Sequence, residues 1–161
     1  MEIVEKHHFT HEVETLRAGI TSSVAGDIGY TLRVRPNHHR ALLAITRLAL
    51  KTNSERPQGS SMSIDCWFVR AKRMSPNDGM VYAIFSTYLA RRNRKAEAME
   101  NAEQAAAIAP ESKNVQYNVA AAYLTVKEYA KAVEHAKRAE ELGHPMPSVK
   151  NKLKQLGAWK E

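Results

Sequence analysis

The side chains that could carry chemistry in this chain are its histidines and its one cysteine. His7, His8 and His11 lie close together near the start of the sequence. A metal site needs further acidic or cysteine ligands at a fixed spacing, and none follows this cluster. We therefore expect a surface segment at these histidines and no bound metal.

Two further histidines and the cysteine could also take part in chemistry. His38 and His39 follow Pro36 where a helix should begin, and we expect them to cap or pack. Cys66 stands beside Trp67 in an apolar stretch without the sequence signature of an activating base, which predicts a buried structural thiol. The sequence has no Gly-rich phosphate loop, no nucleophile elbow and no histidine pair around a glutamate, so we expect no catalysis and no cofactor.

Composition limits the class of protein. The chain has 161 residues, of which 43% are hydrophobic, which excludes a wholly disordered or collagen-like chain. A single cysteine excludes an internal disulfide framework. There are 24 Lys and Arg residues against 17 Asp and Glu, a net charge of +7. No apolar run approaches the roughly 20 residues that span a bilayer, so we expect a soluble protein without a transmembrane segment.

An internal repeat organises the second half of the sequence. Two segments of equal length, 79–112 and 113–146, align without gaps, so that every match is displaced by the same interval. The matched pairs are Phe85 with Val119, Leu89 with Tyr123, Ala98 with Ala132, Ala102 with Ala136, and Ala105 with Ala139. In each segment, apolar residues recur at three-and-four spacing in two stretches separated by a short polar turn, which predicts two helices per segment. The alanines favour closely packed, antiparallel helix pairs.

These positions resemble the tetratricopeptide repeat (TPR), a helical hairpin of about 34 residues. The first segment has Tyr82, Phe85, Ser86, Leu89, Ala98, Ala102, Ala105 and Pro110 at the family's characteristic places, and the second has Gln116, Val119, Ala120, Tyr123, Ala132, Ala136 and Ala139. Both segments replace the aromatic residue of the second helix with alanine. The resemblance implies an all-α fold of antiparallel hairpins stacked as a short right-handed superhelix.

The remaining sequence extends this plan into one domain over 1–161. Residues 37–76 read as an atypical repeat in which Asn37 caps the first helix and a loop at 52–63 separates it from the second. Residues 10–36 predict N-terminal helices, one from after Thr10 to Gly19 and one from about Thr21 to Val34, and 147–158 a capping helix with a polar outer face. Whether the 52–63 loop covers a binding surface is left open.

The resemblance also implies a function. In the family, the first helices of successive repeats line a groove that holds an extended or helical segment of another protein. By place in the motif, the groove here comprises Arg40, Leu43, Arg47, Met80, Ile84, Thr87, Arg91, Asn114, Tyr117, Asn118, Ala121 and Thr125. Because arginine pairs with carboxylates, we expect a protein partner with acidic character. This predicts a non-catalytic protein-binding scaffold of unspecified oligomeric state.

The alternative is binding of nucleic acid or an anionic surface through basic patches. The sequence pI of about 9.6 and the basic turn at 91–95 favour this alternative. The basic residues form no evident continuous track and lack interleaved aromatic residues, which disfavours nucleic acid. Stretches such as 8–19 and 65–78 also resemble an uncharacterised bacterial group of exported repeat proteins. This resemblance implies a removed signal and a periplasmic location; otherwise we expect a cytoplasmic one.

Overall fold

The computed structural model describes residues 2–145 and 147–160. Within them the protein is all-helical and contains no strand, as the repeat pattern predicts. The chain divides into two compact units, Met1–Pro76 and Asn77–Glu161. No described helix has the length and apolar character needed to cross a membrane.

The first unit contains five helices in its described residues. They are α1 (Glu2–His8), α2 (His11–Glu14), α3 (Val24–Val34), α4 (His39–Lys51) and α5 (Ile64–Met74). Helix α3 packs on α1, α2 and α4, and α4 also packs on α2 and α5. The second unit is built from α6 (Gly79–Arg91), α7 (Lys95–Ile108), α8 (Lys113–Thr125), α9 (Tyr129–Glu141) and α10 (Ser148–Gln155).

Two helical hairpins form the body of the second unit. Helix α6 packs on α7, and α8 packs on α9, α6, α7 and α10. Small side chains allow these close contacts: Ala102, Ala105 and Ala132 are fully buried. Ser86, also fully buried, donates its hydroxyl to the carbonyl oxygen of Ala98 across the α6–α7 hairpin at 2.7 Å. The four helices lie where the sequence repeat predicts them.

The same backbone turn ends α4, α6 and α8. The amides of Ser54, Arg94 and Glu128 donate to carbonyls five residues earlier, at 2.9, 3.0 and 2.9 Å. The residue before each donor has a positive φ, 48° at Asn53, 61° at Asn93 and 64° at Lys127. This Schellman-type ending repeats the period within the second unit and recurs at α4. In the first unit, α5 begins only at Ile64, so the extra residues are inserted after this turn and 52–63 is a loop, as predicted.

The inserted loop lies against α3. An ideal Cβ placed on Gly59 would be 1.9 Å from the hydroxyl oxygen of Ser23, and the φ of Gly59 is 87°. Ser60 accepts a hydrogen bond from the indole of buried Trp67 at 3.2 Å, and Arg33 donates to Ser61. The ring of Trp67 in turn lies against Gly29, as expected of a glycine at a close helix contact.

The N-terminal prediction is wrong in its details. Residues 2–8 form a helix that the pattern did not predict, and the helix predicted from Thr10 to Gly19 ends at Glu14, shortly before Leu16 with its φ of 61°. Helix α3 begins at Val24, three residues later than predicted, because the Ser23 hydroxyl caps it by accepting from the amide of Gly26.

Residues 20–22 are held instead by the buried carboxylate of Asp27. It accepts hydrogen bonds from the amides of Ile20 and Thr21 at 2.6 and 3.1 Å. The Thr21 hydroxyl also donates to it, and His8 contacts it at 3.3 Å. These contacts determine the conformation of residues 20–22. The hydrophobic periodicity of the sequence does not predict them.

Three further expectations are resolved by the structure. The cap of α4 is His38, whose Nδ1 accepts from the amide of Ala41 at 3.2 Å, and not Asn37. Cys66 is exposed, because the buried face of α5 passes through Ile64, Trp67 and Phe68 and leaves position 66 on the opposite side. The expected capping and packing role of His38 is confirmed: it is buried, and its Nε2 donates to Glu5 at 2.9 Å.

Candidate protein-binding surface

The second unit has two helix layers with different charge. We call α6, α8 and α10 the first layer, since α8 packs on both others, and α7 and α9 the second layer. The 13, 13 and 8 residues of the first layer contain no Asp or Glu. Its cations are Arg91, Lys113, Lys150, Lys152 and Lys154. All six glutamates on helices of this unit lie in the second layer, at 97, 100, 103, 134, 140 and 141.

Charges in and around the second layer are largely compensated within it. The ammonium of Lys131 lies 2.8 Å from the Glu103 carboxylate, and that of Lys95 lies 2.6 Å from Glu128. Arg138 contacts the carboxylates of Glu111 and Glu141. The hydrogen bond that Lys95 donates lowers the pKa of Glu128, and the hydrogen bond that Glu103 accepts raises the pKa of Lys131. The helices of this layer carry six glutamates against four cations, so the layer has no excess positive charge that would attract an acidic ligand.

Cations of the first layer are different. Lys150 pairs with Glu140 of the second layer at 2.6 Å. Among the described residues, no carboxylate pairs with Arg91, Lys113 or Lys152. Lys113 instead donates to the carbonyl oxygen of Gly143 at 3.4 Å. The first layer therefore carries positive charge that its own helices do not neutralise.

The face of α8 combines polar groups with partly buried apolar ones. Tyr117, Asn118 and Ala121 are half-buried, while Asn114 and Thr125 are exposed. Asn118 donates its side-chain amide to the Asn114 carbonyl at 2.8 Å, and Thr125 donates to Ala121. Tyr117 stacks on His144 with ring centroids 4.0 Å apart. This face can offer apolar contact and hydrogen-bond acceptors to a bound chain.

The predicted groove residues on α6 differ in their exposure to solvent. Met80 and Thr87 are half-buried and Arg91 is exposed. Ile84 is fully buried, so its side chain cannot line an open groove as predicted. Helix α6 is covered by its neighbours around most of its circumference, so that Val81, Ala83 and Leu89 are buried as well as Ile84.

The three predicted residues on α4 belong to the first unit. Leu43 is half-buried, and Arg40 and Arg47 are exposed. Arg40 is engaged: its guanidinium binds the Glu14 carboxylate through two nitrogens, with the Nε contact at 2.8 Å. This hydrogen bond lowers the pKa of Glu14. An acidic ligand would have to compete with Glu14 for Arg40.

The N-terminal histidines are placed separately. His7 and His11 are exposed, whereas His8 stacks on Tyr30 with centroids 3.9 Å apart and also lies 3.1 Å from the Thr21 hydroxyl. In the part of the chain that the structure describes, no group of three or more His, Cys, Asp or Glu side chains is arranged to hold a metal ion.

Sequence reasoning missed Lys152 and the other residues that α10 adds to the first layer. Counting acidic residues helix by helix would have found them, because the absence of Asp and Glu from alternate helices is visible in the sequence. A scan of the chain against protein-family models gives no match, and a comparison with curated proteins gives none either.

Proposed function

We propose that the chain is a non-catalytic, TPR-type scaffold whose first layer binds an acidic segment of a partner protein. The observation that carries the proposal is the separation of charge between the two layers. Three neighbouring helices without a single carboxylate attract anionic groups and repel none. The compensated second layer gives a partner no comparable field.

The TPR-type arrangement is supported by features that recur with the repeat. The endings of α6 and α8 share one turn geometry, and their positive φ values fall on residues 93 and 127. Helix α8 packs on α6 and on α10, and each of α6 and α8 packs on the helix that follows it. In such a stack, first helices form one continuous surface.

The side chains of the first layer suit a peptide. Arg91 can pair with a carboxylate through two parallel hydrogen bonds, which a lysine cannot do. Tyr117 and Met80 provide apolar area, which stabilises protein complexes when it is buried at the centre of an interface. A partner with several carboxylates and at least one apolar residue would use both.

The test is direct binding of a fluorescein-labelled acidic nonapeptide with a central leucine, measured by fluorescence anisotropy. The double variant Arg91→Gln/Lys152→Gln removes two first-layer cations that pair with no carboxylate in the described part of the chain, and Lys95→Gln/Lys131→Gln removes the same charge from the second layer. At about 0.2–1 kcal/mol for each exposed charge contact, we expect roughly twofold to thirtyfold weaker binding for the first variant and less than a twofold change for the second.

Equal weakening by the two variants would show that net charge, and not the first layer, attracts the peptide. The competing function, nucleic-acid binding, is tested with a labelled single-stranded RNA of equal charge. Tighter binding of the RNA than of the peptide at the same salt concentration would contradict the proposal.

A further inference from the structure

A small cavity opens between α8, α9 and α10, beside His144, Pro145 and Pro147. Its volume is about 160 Å³. Ala136 and Ala139 of α9 and Val149 of α10 form its apolar floor, and all three are largely buried. Pro145 and Pro147 lie on its other side. Helices α8, α9 and α10 hold these groups in place through their packing in the second unit.

The polar groups around the cavity already have partners inside the protein. The Tyr117 hydroxyl shares a hydrogen bond with the Ser148 hydroxyl, and the Tyr117 ring lies parallel to His144, with an interplanar angle of 7°. The Lys150 ammonium binds Glu140 at 2.6 Å. Since these groups need nothing from a ligand, an occupant gains mainly by burying apolar surface.

The volume of the cavity indicates the size of the group that it can hold. Sites for drug-sized ligands and cofactors usually exceed about 300 Å³, which this cavity does not reach. A protein cavity of about 150 Å³ with apolar walls accommodates benzene. The space beside Tyr117 therefore has room for one phenyl or isobutyl group.

The cavity is continuous with the proposed binding surface. Tyr117 belongs to both, because it lies on the α8 face described above and lines the cavity. Lys113 reaches the Gly143 carbonyl, next to His144 at the rim, and Lys150 lines the opening. A side chain that enters here would hold its flanking residues beside Lys113 and Lys150. Glu140 also lines the cavity, but its carboxylate is paired with Lys150.

We propose that this cavity receives one phenylalanine- or leucine-sized side chain of the acidic partner. The partner motif is then a single large apolar residue flanked by Asp or Glu. The inference rests on the proposed function and adds to it a position and a side-chain preference.

The test uses three labelled nonapeptides that share the same acidic flanks and differ only in the central residue: alanine, leucine or phenylalanine. Burial of the larger side chain should make the leucine and phenylalanine peptides about tenfold tighter than the alanine peptide. In methyl NMR spectra, the Val149 methyl signals should shift on addition of the phenylalanine peptide and not with the alanine peptide.

Two variants locate the effect. Ala136→Leu fills the cavity and should reduce the preference for phenylalanine over alanine to less than twofold. Ala130→Leu makes the same change at an exposed position of the same helix and should retain the preference. Circular dichroism checks that both variants fold. Should Ala136→Leu fail to fold, the peptide series and the Val149 signals on the unchanged chain still decide.

The two proposals fail in different ways. Three peptides that bind equally well would overturn the cavity and leave acidic-segment binding intact. A preference that persists in folded Ala136→Leu would also overturn the cavity. If none of the peptides binds, the proposed function fails and the cavity proposal fails with it.

Discussion

The two units of this protein are stabilised by different means. The second unit relies on repeated apolar contacts, such as those of Ala102, Val119 and Tyr123, which are at most 1% exposed. Among the described residues, the first unit buries five polar groups that need specific partners, including a carboxylate: Asp27, Thr31, His38, Thr46 and Ser60. The second unit buries three, all uncharged: Ser86, Asn101 and Gln116. Apolar packing tolerates small geometric changes, whereas a buried polar group that loses its partner is costly. The first unit should therefore depend more strongly on pH and on individual turn residues.

The largest expected effect tests whether packing alone holds the last helix of the second unit. Leu153 of α10 is fully buried, whereas Leu156, three residues later, is 45% exposed. Replacing Leu153 with alanine should lower the free energy of unfolding by about 2–5 kcal/mol, because it leaves a cavity next to Val149. Urea unfolding followed by circular dichroism measures this. The control, Leu156→Ala, should change stability little, and comparable losses in both variants would contradict the burial pattern.

Gly59 tests the dependence of the first unit on single turn residues. The Gly59→Ala variant should destabilise the protein by about 2–3 kcal/mol, because an L-residue is disfavoured at its positive φ and the new Cβ displaces the Ser23 cap of α3.

The matched control is Gly143→Ala in the second unit. Gly143 also has a positive φ, 79°, but nothing lies within 4 Å of the added Cβ. We expect a loss of about 1 kcal/mol there, from backbone strain alone. Thermal unfolding that gives equal losses at the two glycines would exclude the loop–cap contact as a source of stability.

Asp27 tests the expected acid sensitivity of the first unit. Its burial by itself raises the pKa, but hydrogen bonds from the Thr21 hydroxyl and from the amides of Ile20 and Thr21 outweigh burial and lower the pKa from 3.8 to about 2. The folded state thus favours the ionised form. The resulting stability, about 2 kcal/mol, is present above pH 4 and is lost as the pH falls towards 2.

Fluorescence of Trp67 can report this loss. Trp67 lies buried in the first unit, and the chain's other tryptophan, Trp159, is removed by Trp159→Phe. In that background, Asp27→Asn should abolish most of the stability change between pH 4 and pH 2, and Glu100→Gln, at an exposed site, should preserve it. An unchanged acid response in Asp27→Asn would assign the effect to other carboxyl groups.

The smallest expected effect concerns ion pairs of the second layer. The side chains of Lys131 and Glu103 are 42% and 60% exposed, and the lysine also lies over the Tyr123 ring at 5.2 Å from its centroid. A double-mutant cycle with Lys131→Gln and Glu103→Gln should give a coupling of less than about 1 kcal/mol that shrinks as salt is added. A larger coupling that salt leaves unchanged would mean that surface ion pairs also contribute substantially to the stability of the second unit.

The difference between the units explains how much of the fold could be predicted from the sequence. In the second unit, buried positions recur with the helical period and again from one repeat to the next, so α6 to α9 follow from local pattern. Over residues 2–23, the conformation depends on contacts with Asp27 and Gly59. Gly59 is distant in sequence, and neither its residue type nor that of Asp27 indicates these contacts. Cys66 shows a smaller error: a neighbouring tryptophan indicated burial, but the phase of α5 decides which side chains face inwards.

The candidate site was predicted in part for the same reason. Arg91, Tyr117 and Asn118 follow from their place in the repeat, and the structure puts them on two packed helices. Burial of Ile84 depends on how α6 is covered, which a repeat pattern does not specify. The cavity beside Tyr117 depends on where Pro145 and Pro147 lie, and no periodicity encodes those positions.

The most direct test of the central claim is an amide NMR map of the chain with the leucine-centred acidic peptide. We expect the largest chemical-shift changes on α6, α8 and α10, around Arg91, Tyr117 and Lys152, and small changes on α7 and α9. Largest changes on α7 and α9, or within residues 2–76, would contradict a binding surface on the first layer.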